Sequence, residues 1–125
     1  MVHGLLQNLE VLLLVSFMIN LLLMDIKTIR KKIKGGKYDL SLHAHEERQA
    51  EQITIEEIET TILKGSIIEE YPKDPRGESC LIAIKSMHVV CGWRNERILI
   101  VTNYRPQMPK WVNWKTRAKE LKNRA

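Results

Sequence analysis

The region between residues 80 and 103 constrains the fold most, because three apolar runs lie there with almost no chain between them. The runs cover residues 80–85, 87–93 and 98–103, and each is rich in isoleucine, valine or leucine. A single residue separates the first two runs, and four residues separate the second from the third. Parallel strands need a crossover of about a dozen residues or more, so we predict that these runs pair as antiparallel hairpins.

Three helical patterns precede these strands. The first begins at Asp25, a good N-cap residue, and continues with isoleucines spaced three and four residues apart. The second begins at Ser41 and runs through about Glu51. The third begins at Thr54, where Thr-Ile-Glu-Glu forms a capping box, and ends at Gly65.

The remaining segments complete an α+β pattern. Residues 66–71 read as a further short strand before a Pro- and Gly-rich turn, and the basic stretch 111–123 reads as a helix after two prolines. We therefore expect N-terminal helices, a roughly four-stranded antiparallel sheet and a C-terminal helix. With 44% hydrophobic and 28% charged residues, the composition is that of a globular protein, and residues 25–125 are expected to form one α+β domain.

Residues 1–24 differ from this domain, because residues 11–24 contain no charged side chain. That run of 14 residues is shorter than the roughly 20 that cross a bilayer as a helix. Three interpretations remain open: a membrane anchor, an extension outside the functional protein if Met24 is the true start, or a helix packed on the domain. An inserted segment followed by the lysines of residues 27–37 would keep the domain on the cytoplasmic side of the inner membrane. Otherwise we expect a cytoplasmic protein.

The net charge of +5 is unevenly distributed along the chain. Residues 25–37 hold six basic residues and one acidic residue, and residues 104–125 hold seven and one. Residues 38–103 hold seven basic and twelve acidic residues, which gives this middle segment a charge of −5. A uniformly basic nucleic-acid-binding surface is therefore excluded, and contact with RNA is expected at the two basic flanks.

The most polar cluster contains His43, Glu47 and Arg48 in the second predicted helix. His43 and Glu47 are four residues apart, so they share one helix face. A histidine can exchange protons near neutral pH, an adjacent carboxylate can orient it, and an arginine can hold a phosphate. The same spacing also fits an exposed ion pair with no catalytic role.

The other histidines and the cysteines give weaker signals. His43 and His45 point in nearly opposite directions on a helix, so we expect no metal site there. His88 lies in an apolar strand, where it is either a hydrogen-bonded structural residue or a catalyst. Two cysteines are too few for a disulfide framework, and a tight hairpin centred on Ser86 would place Cys80 and Cys91 on opposite sheet faces.

The C-terminal basic stretch interleaves lysines and arginines with Trp111 and Trp114. Cations beside aromatic rings suit single-stranded nucleic acid, whose phosphates and bases need different partners. A solvated helix with two buried tryptophans accounts for the same residues.

A longer series of residues occurs in a fixed order. It reads Ser41-x-His43-Ala44-x-x-Glu47-Arg48, then Gly65-x-Ile67-Ile68-Glu69-x-Tyr71-Pro72-x-Asp74-Pro75-Arg76-Gly77-x-Ser79-Cys80-Leu81, then His88-Val89-Val90-x-Gly92 and Thr102-x-Tyr104-x-Pro106. This series resembles domain-of-unknown-function family 4258 over about residues 37–111. The chain departs from that family at Gln52, where a glycine is usual, and in the short connection before His88.

The resemblance implies a small bacterial protein with the RelE- and barnase-like endoribonuclease fold and a toxin-like role. We expect no cofactor. The resemblance also marks six positions for testing: His43, Glu47, Arg48, Arg76, His88 and Tyr104.

We therefore expect metal-independent cleavage of RNA. In this hypothesis His43 and His88 are the acid and base, Arg48 or Arg76 stabilises the transition state, and Glu47, Arg76 and Tyr104 contact the substrate. The alternative is a non-catalytic module of the same fold that binds an antitoxin or another protein, with or without attachment to a membrane through residues 1–24.

Overall fold

A computed structural model describes residues 8–15, 25–75, 77–108 and 110–118 of the chain. The helices are α1 (residues 8–15), α2 (Ile26–Lys34), α3 (Leu42–Ala50) and α4 (Ile55–Lys64). The strands are β1 (Tyr38–Leu40), β2 (Ser66–Tyr71), β3 (Ser79–Ile84), β4 (Met87–Arg94), β5 (Arg97–Tyr104), β6 (Trp111–Asn113) and β7 (Thr116–Arg117).

The three predicted N-caps are confirmed. The side chain of Asp25 accepts a hydrogen bond from the second residue of α2, and those of Ser41 and Thr54 accept from the third residues of α3 and α4. Each of these bonds satisfies one backbone N–H that has no partner within its helix. After α3 the chain turns at Gln52, whose φ of 56° lies in the left-handed region that favours glycine.

The main sheet has five strands in the order β1-β5-β4-β3-β2. The four predicted strands, β2 to β5, are antiparallel neighbours, which confirms the α+β class and the meander. The fifth strand, β1, pairs in parallel with β5 at one edge and was not predicted. Its three residues are too few to show an alternating pattern.

Helices α2 and α4 cover one face of this sheet and bury the core. Isoleucines of the two helices pack against alternate residues of the three central strands. The buried members from these elements are Ile29, Ile33, Ile58, Ile62, Cys80, Ile82, Met87, Val89, Cys91, Ile98 and Ile100.

Helix α3 takes the place of an edge strand beside the second half of β5. The backbone N–H of Ser41 donates to Ile100 O at 3.0 Å, and the Ser41 hydroxyl donates to Val101 O at 2.8 Å. Further along, the backbone N–H of Asn103 donates to the Glu47 carboxylate at 3.4 Å. Ser41, the N-cap of α3, and the Glu47 side chain thus satisfy backbone groups of β5.

The prediction of a C-terminal helix is wrong for residues 111–117. Residues 111–117 form a two-stranded β-hairpin, β6–β7, instead. Asn113 sets its turn, because the side-chain oxygen accepts from the backbone N–H groups of Lys115 and Thr116 at 2.8 and 2.9 Å. The remainder of the predicted helix, residues 119–123, lies outside the described residues.

The predicted placement of the two cysteines is also wrong. Ile84 pairs with Met87 around a two-residue turn, so the register is shifted by one residue from a hairpin centred on Ser86. Cys80 therefore lies directly opposite Cys91, with both thiols buried in the core and both free. A one-residue shift in register moves a side chain to the other face of a sheet.

Within the N-terminal segment, the structure describes only the residues of α1. All eight are exposed, so a helix packed on the domain is not observed for residues 8–15. No helix in the described parts of the chain is long and apolar enough to cross a membrane. The rest of the predicted extension, residues 1–7 and 16–24, lies outside the described residues.

Candidate functional site

The sheet face opposite α2 and α4 carries an open cleft of about 560 Å³. Its floor is apolar and is formed by Val90, Leu99 and Val101, together with Gly92. One wall comes from the start of α3 at the β5 edge, and the other comes from β2 and the β6–β7 hairpin. Strands β5 and β2 are three strand spacings apart, so the walls stand about 14 Å from each other at their base.

His43 stands on the α3 wall with 66% of its side chain exposed. Its Nε2 lies 3.1 Å from Oε1 of Glu47, which confirms the predicted pair on one helix face. A carboxylate only accepts hydrogen bonds, so Nε2 carries the proton and Nδ1 is the nitrogen that can accept one. Thr102 also donates to Glu47 Oε1, so the carboxylate is fixed to β5 as well as to α3.

The opposite wall contains a cluster of Glu69, Tyr71 and Arg117. Arg117 donates from Nε and Nη2 to the two oxygens of Glu69 at 2.8 and 2.9 Å, and the Tyr71 hydroxyl also donates to Glu69. Burial raises the pKa of Tyr71, and Glu69 adds to this, to about 12. Burial would also raise the pKa of Glu69, but the bonds from Arg117 and Tyr71 outweigh it and leave that pKa below its ordinary value.

The sequence did not single out Glu69, Tyr71 or Arg117 as site residues. Glu69 and Tyr71 are two apart on β2, so they share one sheet face, and this alternation was visible in the sequence. Arg117 reaches them only because the C-terminal stretch folds back as a hairpin. Because residues 111–123 were predicted as a helix, the sequence did not indicate that Arg117 contacts Glu69.

His88 lies beneath the β6–β7 hairpin, fully buried, and is not among the residues that line the cleft. Its Nε2 donates to the Trp114 carbonyl, so its Nδ1 accepts from the Tyr104 hydroxyl at 3.1 Å. The Trp111 ring packs edge-on against it at 4.4 Å between centroids. Burial lowers the pKa of His88 and outweighs the bond to Trp114 and the nearby Glu69, which both raise it.

The predicted site residues thus fall into separate places. His43 and Glu47 meet at the cleft, whereas His88 and Tyr104 meet under the hairpin. Arg48 donates to Ile53 O at 3.0 Å, and so holds the connection between α3 and α4 instead of lining the cleft.

The other predicted arginine, Arg76, lies outside the described residues. Among the residues that the structure does describe, no three His, Cys, Asp or Glu side chains are grouped so that they could hold a metal ion.

Further carboxylates border the cleft. Asp74 and Glu78 line its mouth beside Ser79, whose hydroxyl lies 3.5 Å from Asp74 Oδ2. Burial, together with Glu70, raises the pKa of Glu78. The cleft therefore combines the oriented, exposed imidazole of His43 with an apolar floor, an arginine paired with Glu69, and a rim that carries carboxylates.

Comparison with known proteins assigns the chain to a family. No curated protein and no solved structure matches it. The model of the family described as "Domain of unknown function (DUF4258)" matches residues 40–105, which is more than half of the chain and includes His43, Glu47, His88 and Tyr104. The chain therefore belongs to the DUF4258 family.

Proposed function

We propose that this protein is a metal-independent endoribonuclease and that the cleft on the open sheet face is its active site. The observation that carries the proposal is the exposed His43, whose Nε2–H is held by Glu47 at the mouth of the cleft. An imidazole fixed in this way presents Nδ1 as a general base. Thr102 and the backbone of Asn103 hold Glu47 in turn, so the base is positioned by the sheet itself.

The proposed reaction is cleavage by the neighbouring ribose hydroxyl. His43 Nδ1 takes the proton from a 2′-hydroxyl, and the resulting oxyanion attacks the adjacent phosphorus. The bond from phosphorus to the 5′-oxygen breaks, and this oxygen takes a proton from water in the open cleft. The products end in a 2′,3′-cyclic phosphate and a 5′-hydroxyl, and the imidazolium of His43 returns its proton to solvent.

The far wall suits binding better than proton transfer. It stands about 14 Å from the α3 wall at the sheet surface, and its Tyr71 hydroxyl is bonded to Glu69, with a pKa that burial and Glu69 raise to about 12. Arg117 provides a cation there, while Val90, Leu99 and Val101 form an apolar floor between the walls. We assign this wall to the nucleotides that flank the scissile bond.

We assign His88 a positioning role and not a catalytic one. It is buried with both ring nitrogens bonded, so it cannot reach a substrate in this conformation. Its bond to Trp114 O holds the hairpin that delivers Arg117 to the cleft. The proposal therefore places proton abstraction on His43 alone.

The test compares two histidines of α3. We expect the purified full chain to cleave single-stranded RNA in the presence of EDTA, and His43→Ala to lower kcat about 100-fold or more, the usual contribution of a general base. His45→Ala is the matched control, because His45 is also exposed on α3 but does not line the cleft. Expression of the wild-type chain should arrest growth, and expression of His43→Ala should not.

A Glu47→Gln variant tests the orienting contact separately. It should lower kcat while leaving KM nearly unchanged, because Glu47 touches His43 and not the cleft floor. Equal cleavage by the wild type and His43→Ala would contradict the proposed mechanism. A folded wild-type chain that binds a protein partner and cleaves no RNA would instead support the non-catalytic module.

A further inference from the structure

Helix α1 contains a wholly apolar segment, residues 11–15, and is covered by none of the described residues. Of the nine large apolar side chains that lie exposed in the described part of the chain, six belong to α1. Residues 11–15 are five consecutive leucines and valines, between 46% and 69% exposed. Five consecutive residues cover more than one helical turn, so no side of this segment is polar. A helix of this kind is normally surrounded by an apolar medium.

The next described element, α2, presents a row of lysines to solvent. Lys27, Lys31 and Lys34 are spaced four and three residues apart and are all exposed, so they form one face. The opposite face of α2 is anchored in the core by Ile29 and Ile33. The lysine face is therefore held in place by the fold and turned away from the sheet.

We propose that α1 and the lysine face of α2 dock this chain on the surface of an anionic lipid bilayer. The leucines and valines of α1 enter the boundary between headgroups and acyl chains, and the lysines contact anionic headgroups. The sequence charges agree with this orientation, since residues 25–37 carry +5 and residues 38–103 carry −5. An anionic surface attracts the first segment and repels the second, which favours an orientation with α2 towards the lipid.

Charge distinguishes a bilayer from an apolar protein groove. Either one would cover the apolar side chains of residues 11–15. The exposed lysine face of α2, the next described element of the chain, adds a preference for negative charge that a neutral apolar partner does not explain.

The test measures co-sedimentation of the full chain with lipid vesicles. We expect binding to phosphatidylcholine vesicles that contain phosphatidylglycerol, and weak binding to phosphatidylcholine alone. The triple variant Lys27→Gln/Lys31→Gln/Lys34→Gln should bind the anionic vesicles roughly 100-fold more weakly, since each lysine near such a surface contributes about fivefold. Lys64→Gln/Lys73→Gln/Lys85→Gln is the matched control, because these lysines are exposed on the body.

The apolar contribution is tested in parallel. Leu12→Gln/Leu13→Gln should lower vesicle binding at least tenfold, whereas Leu42→Gln/Met108→Gln, which also removes two exposed apolar side chains, should not. RNA cleavage should be unchanged in Leu12→Gln/Leu13→Gln, because residues 8–15 do not line the cleft, and this separates the inference from the proposed activity. Equal binding to neutral and anionic vesicles would overturn it, as would a triple variant indistinguishable from its control. A chain that ignores vesicles and forms dimers through α1 would overturn it too.

Discussion

A single carboxylate oxygen connects the helix and the strand of the candidate site. Oε1 of Glu47 lies 3.1 Å from His43 Nε2 and also accepts bonds from the Thr102 hydroxyl and the Asn103 backbone. The helical spacing of His43 and Glu47 predicted the first of these contacts. The other two could not be predicted, because they depend on α3 lying along the edge of β5, which no local pattern encodes.

Another single residue, His88, makes the free energy of unfolding depend on pH. Its pKa in the folded chain lies below the ordinary value of 6.5, because burial disfavours the charged ring. The unfolded chain therefore binds more protons than the folded chain as the pH falls through this range. The stability that neutral His88 provides is complete above pH 6.5 and is lost as the pH falls through the folded-state pKa.

We expect the free energy of unfolding, measured by urea titration, to decrease as the pH is lowered below about 6.5. In His88→Gln this decrease should be smaller, because glutamine can occupy the same hydrogen bonds without titrating. The difference between the two proteins removes contributions from other groups, including Glu78, whose raised pKa acts in the opposite direction. Identical pH profiles for the two proteins would show that His88 is not the buried titrating group described above.

Among the elements, the junction between α4 and β2 depends on Gly65. A Cβ atom at this position would lie 2.5 Å from Thr61 O and 2.7 Å from Ala83 O, and both are backbone atoms that cannot move independently. The Gly65 carbonyl accepts from Arg30 of α2 at 2.6 Å, so a shift there would also disturb the contact between the two helices. We expect Gly65→Ala to lower the free energy of unfolding by about 1–3 kcal/mol, the usual range for overpacking.

Gly35→Ala is the control for this substitution. The nearest atom to an added Cβ at Gly35 is Lys31 O at 3.5 Å, an ordinary contact, and Gly35 has a negative φ. It also follows a helix, as Gly65 does, so the two variants differ mainly in the space available. A Gly65→Ala protein as stable as Gly35→Ala in chemical denaturation would contradict the packing described for this junction.

Long elements were predictable from the sequence, and short ones were not. Capping residues and isoleucine spacing identified α2, α3 and α4, and closely spaced apolar runs identified β2 to β5. The three-residue β1 and the β6–β7 hairpin were missed, because neither is long enough to show a period. The basic stretch 111–123 was predicted as a helix, whereas Trp111 is buried against His88 and the Trp114 carbonyl binds the same ring.

For the whole molecule, the site depends on the order of the strands and not on any one motif. His43 and Arg117 come from elements at opposite edges of the sheet, and they line one cleft because the chain places α3 beside β5 and the hairpin beside β2. The sequence predicted the α+β class and the His43–Glu47 pair. It could not predict the cleft, because strand order and the fold of the last described residues are set by packing across the sheet.

The uneven distribution of charge is also a property of the whole molecule. The basic segments flank an acidic body in the sequence, and the structure gives them different surroundings. Lys27, Lys31 and Lys34 are exposed on α2, whereas Arg117 is paired with Glu69 at the cleft. We therefore separate the two functions of the basic flanks: the C-terminal flank contributes to the proposed RNA site, and the N-terminal flank contributes to the proposed lipid surface.

The most direct test of the proposed activity compares an RNA strand with the same strand carrying a single 2′-deoxynucleotide at the cleavage site. With the wild-type chain in EDTA, we expect cleavage of the all-ribose strand, a 2′,3′-cyclic phosphate on the product, and no cleavage at the deoxy position. The His43→Ala chain should cleave the all-ribose strand at least about 100-fold more slowly. Cleavage at the deoxy position, or a product without the cyclic phosphate, would contradict the account, because the proton that His43 is proposed to remove would then not be required.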